Sequence, residues 1–156
     1  MTGGSFMIPY VIYSTFMGFF VFLIGIGVDL LIGKLQSIVP LSGVAVISIA
    51  ISMKLLLFWA YMKQTQMIYV KFFRHYQIPY ETPPFLEKSL LNLSQLGLFA
   101  FHYHACVLVI DYFQITWGSM FIFICATSLL LGVTIQKWNQ SIYRVNVTFI
   151  KVSHHQ

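Results

Sequence analysis

The chain has 156 residues, of which 58% are hydrophobic and only 8% are charged, against roughly 25% charged in a soluble domain. Nine Lys and Arg with four Asp and Glu cannot cover a water-soluble fold of this size, so lipid is the expected solvent for most of the surface. The net charge of +5 would suggest nucleic acid in a soluble protein. Here the bases stand between apolar runs, which points to membrane topology and anionic headgroups and to no nucleic-acid partner.

No Lys or Arg precedes Lys34, so the start lacks the basic n-region of a secretory signal, and an unprocessed N-terminus is expected. Four apolar runs follow, at about residues 8–31, 41–62, 85–110 and 115–135. Each has roughly the 20 residues that a helix needs to cross about 30 Å of hydrocarbon. Strand-like alternation over ten-residue segments is absent. The expected fold is therefore all-α: a polytopic membrane protein with a four-transmembrane-helix bundle, forming a single domain over residues 1–156.

The connections set the orientation. The second loop and the tail hold Lys63, Lys71, Arg74, Lys88, Lys137, Arg144 and Lys151, whereas the first and third loops hold only Lys34. The positive-inside rule puts both termini and the long loop, residues 63–84, on the inner side. Within that loop, Gln64 to Tyr76 reads as an amphipathic helix lying in the headgroup plane, with Met67, Val70 and Phe72 or Phe73 down and Lys63, Lys71 and Arg74 up. Thr82 is the expected N-cap of the third span, with Pro83 at its first position. Residues 136–156 read as a C-terminal tail ending in the solvated His154 and His155.

Polar groups in hydrocarbon need a partner. The candidates are Asp29, Lys54, Gln95, His102, His104 and Asp111. Lys54 lies about 12 Å below the inner boundary at 1.5 Å per residue, and snorkelling is its simplest reading. With Asp29 and Asp111 both expected at the outer boundary, no acid of this chain stands at its depth, so a counter-ion would come from a neighbouring subunit. The two carboxylates could also share a cation, although they lack further oxygen ligands. Asn92, Asn139 and Asn146 match the glycosylation sequon, by chance on this topology. Cys106 and Cys125 fall inside apolar runs and read as small hydrophobes.

His102 and His104 are two apart and point to different sides of a helix, so they cannot bind one metal together. A transmembrane histidine can ligate haem, carry protons or hydrogen-bond between helices. The stretch His102-Tyr103-His104, followed by Val109-Ile110-Asp111-Tyr112, resembles the small membrane-anchor subunit of succinate dehydrogenase. That family has a histidine pair, then an Asp-Tyr pair at the end of one helix. The resemblance implies His102 or His104 as a haem b ligand and Tyr112 as a quinone contact. Two features differ: the family's first histidine stands further from its Asp than the nine positions between His102 and Asp111, and the family has three spans rather than four.

Small residues that let helices approach occur as Ser14, Gly18, Gly25 and Gly27, then Gly43, Ala45, Ser48 and Ser52, then Gly118, Ala126, Ser128 and Gly132. No metal or nucleotide motif is present, and no catalytic activity of its own is expected. The leading functional expectation is an accessory subunit of a larger membrane complex, such as a respiratory or other energy-transducing one, in a mitochondrial or bacterial inner membrane. The alternatives are the haem- or quinone-binding anchor, and a small transporter or channel component using Asp29, Lys54 and Asp111.

Overall fold

A computed structural model describes residues 4–39 and 42–145. Four helices make up nearly all of it: α1 (Gly4–Ile38), α2 (Gly43–His75), α3 (Phe85–Tyr112) and α4 (Trp117–Ile142). All four are long and apolar enough to cross a membrane, and the chain is an all-α, four-helix membrane bundle. Each helix contacts its two neighbours around a square, α1 on α2 and α4, and α3 on α2 and α4, with α1 and α4 in the closest association.

The helices outrun the hydrophobic segments. At 1.5 Å per residue, the 35 residues of α1 span about 52 Å and the 33 of α2 about 50 Å. The segment 64–76, expected as a separate helix in the headgroup plane, is instead the last three turns of an unbroken α2 together with its C-cap, Tyr76. No residue there breaks the i to i−4 ladder, and Thr65, Gln66, Tyr69 and Phe73 are buried against the bundle. A segment buried on one face extends a helix more favourably than it turns to lie on lipid. Helix α4 likewise runs seven residues beyond the expected 135, to Ile142. The part of the tail beyond 145 lies outside the described residues, His154 and His155 included.

The helix ends have local causes. Ser42 caps α2, its hydroxyl accepting from the Ala45 amide at 3.3 Å, one of the four amides that a helix start leaves without an internal partner. Helices α2 and α3 end alike, each followed by a glutamine with positive φ: Gln77 (53°) and Gln114 (45°). The next amides, of Ile78 and Ile115, return to the carbonyls of Phe73 and Ile110 at 2.9 and 3.2 Å, the left-handed closure that glycine usually provides. The third span starts two residues later than expected from a Thr82 cap: Pro84 is its N-cap and makes no side-chain cap bond.

Two short strands staple the basic end. β1 (Tyr80–Glu81) and β2 (Arg144–Val145) pair antiparallel, with Tyr80 opposite Val145 and Glu81 opposite Arg144. The α2–α3 connection and the exit of α4 therefore lie at one end of the bundle, with the start of α1, whose Tyr10 ring meets Tyr69 of α2 at 4.7 Å.

The core is largely aromatic. Tyr69, Phe73, Tyr80 and Tyr143 cluster at the basic end, while Phe22, Phe58, Phe99 and Tyr103 pack in the half away from it. Where backbones come closest, glycine is required. A Cβ on Gly132 would lie 2.7 Å from Thr15 Oγ1 and 3.1 Å from its amide nitrogen, and one on Gly18 would lie 3.3 Å from the Tyr61 hydroxyl. Gly27, Gly43 and Gly118, which the sequence grouped with them, face open space.

Candidate functional site: an ion pair inside the bundle

Asp29 stands nine positions before the end of α1 at Ile38, and Lys54 eleven positions after the start of α2 at Gly43. In an antiparallel hairpin these offsets, about 13 and 16 Å from the helix ends, put both at nearly one depth. Lys54 Nζ lies 2.7 Å from Asp29 Oδ1. The expectation that no acid of this chain shares the depth of Lys54 is thereby corrected. It equated the end of the apolar run near residue 31 with the end of the helix. The helix in fact continues for two more turns, because leaving hydrocarbon for headgroups costs a helix nothing when its backbone bonds are internal.

A third group completes the arrangement. The Tyr103 hydroxyl of α3 donates to Asp29 Oδ2 at 2.9 Å, and Lys54 Nζ sits 5.0 Å above the centre of the Tyr103 ring. The carboxylate thus has a partner for each oxygen, and the ammonium meets both a counter-charge and an aromatic face. Phe22 stacks on the Tyr103 ring at 5.6 Å, and Phe58 tilts against it at the same distance. Gly25, one turn before Asp29, makes room for that ring. The Lys54 side chain keeps 10% of its surface exposed and that of Asp29 35%, so the pair is sealed on the lysine side and opens at the aspartate.

Such an arrangement neutralises charge where an isolated ion would be costly. It also ties three helices together through side chains that are fully engaged. In the sequence the histidines beside Tyr103 stand out and the tyrosine does not. The signal was there: Gln95, Phe99, Tyr103 and Cys106 are the buried residues of α3, spaced as one helical face.

The other candidates are dispersed. His102 is half-buried, its Nε2 lying 3.3 Å from the Thr127 carbonyl and 3.8 Å from Cys106 Sγ. Its ring meets Phe22 edge-on. His104 is exposed on another side of α3, and Tyr112 is exposed at the helix end against Phe113. The structure does not bring His102, His104 and Tyr112 to one place. Asp111 is exposed at the end of α3, eight positions and about 12 Å along from Tyr103; no contact joins it to Asp29 among the described residues. No group of three or more His, Cys, Asp or Glu able to hold a metal is present among the described residues. Gln95 is 1% exposed, and neither atom of its amide has a hydrogen-bond partner among the described residues.

Several interhelical hydrogen bonds escaped the sequence reading. The Tyr61 hydroxyl donates to the Ser14 carbonyl at 2.7 Å, Gln66 Nε2 to Asn92 Oδ1 at 2.8 Å, Trp138 Nε1 to the Leu91 carbonyl at 3.0 Å, and Asn139 Nδ2 to the Tyr10 hydroxyl. Two of the three sequon asparagines are therefore packing residues, and the third, Asn146, lies outside the described residues. Compared with family models, characterised proteins and solved structures, the chain gives no match.

Proposed function

We propose that this chain is an accessory, structural subunit of a larger membrane complex, with both termini on the positive inner side of the bilayer. The observation that carries the proposal is the outer part of the α1–α2 hairpin. Buried residues of α2 begin only at Lys54; none of the eleven residues from Gly43 to Met53 is buried, and residues 33–38 of α1 are all exposed. This stretch of α2 nevertheless carries Ala45, Ser48 and Ser52 along one side. In lipid, small residues are placed where a second helix approaches, since they bring no apolar benefit against acyl chains. Large apolar side chains, Val44, Ile47 and Leu56 among them, stand exposed around them.

The polar groups inside the bundle support the same reading, because Asp29, Lys54 and Tyr103 engage one another. Extraction in a mild detergent, followed by native-gel sizing and identification of co-purifying chains, tests the proposal. A species of defined composition well above 18.0 kDa is expected. A clean monomer or a small homo-oligomer would overturn it.

A further inference from the structure

At the basic end, α2 presents Lys63, Met67, Val70, Lys71 and Arg74 along one face, at offsets of 4, 7, 8 and 11 from the first, the spacing of a single helical stripe. Lys88 from the first turns of α3 and Tyr143 after α4 close the other sides. These residues, with Gln66, line a groove of about 370 Å³. Four cationic side chains thus converge on one concavity whose lining, among the described residues, includes no carboxylate.

The walls show how it is held. Gln66 is fixed by its bond to Asn92, and Lys88 Nζ lies 5.7 Å over the Tyr143 ring. The nearby acid Glu87 is turned to Arg144 at 3.7 Å, in a separate cleft with Glu81 and Pro83. Met67 and Val70 supply apolar lining.

We propose that this groove binds the phosphate headgroup of an anionic phospholipid of the surrounding bilayer. A compact site rich in Lys and Arg, at the end of a membrane bundle, has the charge and geometry for phosphate. Lys63 is the first charged residue after the apolar part of α2, which places the groove's lower rim at the headgroup level. The apolar lining of Met67 and Val70 distinguishes the occupant from a free anion, because it suits the glycerol and first methylenes of a lipid. With four positive charges present, a headgroup carrying two phosphates fits better than one carrying a single phosphate. The site lies at the opposite end of the bundle from the Asp29–Lys54 pair and does not depend on the subunit proposal.

The full-length chain, delipidated in detergent, would be titrated with phosphatidylcholine, phosphatidylglycerol and cardiolipin and read by native mass spectrometry, with inorganic phosphate as a separate arm. Retention in the order cardiolipin, phosphatidylglycerol, phosphatidylcholine is expected, with millimolar inorganic phosphate displacing little. Removing two cations in K63Q/K88Q should weaken cardiolipin retention on the order of 25-fold, at about fivefold per charge, while K63R/K88R retains it. K137Q, at the same end but outside the groove, should stay within about twofold of the parent. Equal retention of the three lipids, displacement by inorganic phosphate alone, or an equal loss in K137Q would each overturn the assignment. If K63Q/K88Q fails to fold, the lipid order and the phosphate arm on the unaltered chain decide it.

Discussion

Gly25 and Tyr103 occupy adjoining space so closely that a Cβ on the glycine would lie 2.6 Å from Cε2 of the ring and 2.8 Å from its hydroxyl. That hydroxyl donates to Asp29, one helical turn along α1 from Gly25. The absent side chain at 25 is thus what lets a ring on α3 reach a carboxylate on α1, and the carboxylate in turn meets Lys54 of α2.

Gly25→Ala should therefore destabilise the bundle by about 1–3 kcal/mol, the usual effect of overpacking a filled site. Backbone propensity favours alanine, so a loss would have to come from the clash. Gly27→Ala faces open space and should be neutral or slightly stabilising. Reversible unfolding in mixed SDS micelles measures both; equal effects would refute the close approach.

Breaking the ion pair should cost more. Lys54→Met leaves Asp29 without its counter-charge, and Asp29→Asn leaves a buried ammonium. Each is expected to destabilise by about 3 kcal/mol, the low end for buried pairs, because Asp29 keeps 35% of its side chain exposed. The double variant should lose clearly less than the sum, since neither partner is then stranded. Additive losses in the same unfolding assay would show that the pair is not coupled.

Gln77 and Gln114 hold the left-handed positions after α2 and α3, a conformation that costs an L-residue roughly 1–2 kcal/mol and glycine very little. Gln77→Gly and Gln114→Gly should each stabilise by about 0.5–1 kcal/mol. A loss of stability in either would mean that the glutamine side chain contributes more than its backbone strain removes.

Burial pushes the Tyr143 phenol up, and the neighbouring Tyr80 adds to the effect. The folded chain then keeps this proton at a pH where the unfolded chain has released it. With more protons bound in the folded state, the slope of stability against pH is negative. Its contribution is complete below about pH 10, the ordinary tyrosine value, and is lost as pH rises through the raised value. Tyr143→Phe, which keeps the ring, should flatten the alkaline fall in stability, and Tyr112→Phe, at an exposed helix end, should not. Identical alkaline limbs for Tyr143→Phe and the parent chain would exclude this role.

Much of the bundle was legible before any coordinates. Four apolar runs in a chain with 8% charged residues fix the class, because hydrocarbon leaves the backbone few ways to satisfy itself. Legibility failed at helix ends. The segment from Gln64 to Tyr76 reads as a helix lying flat on the membrane, since amphipathicity tells how a helix divides its faces and not whether it joins its predecessor. The site was half legible: Asp29 and Lys54 stood out as charges in apolar runs, yet their pairing depended on helix lengths that hydropathy does not measure. Tyr103 carried no such flag, because a tyrosine in an apolar run reads as packing.

What the sequence determined by itself is the solvent of this protein and the number of its crossings, both being sums over many side chains that no single contact can reverse. Which polar group meets which, and that four bases share one groove, was decided by the tertiary structure. Those outcomes hang on the rotation and overlap of neighbouring helices. A shift of one residue in overlap moves a side chain by 1.5 Å along the axis and about 100° around it, enough to make or break every bond described at Asp29.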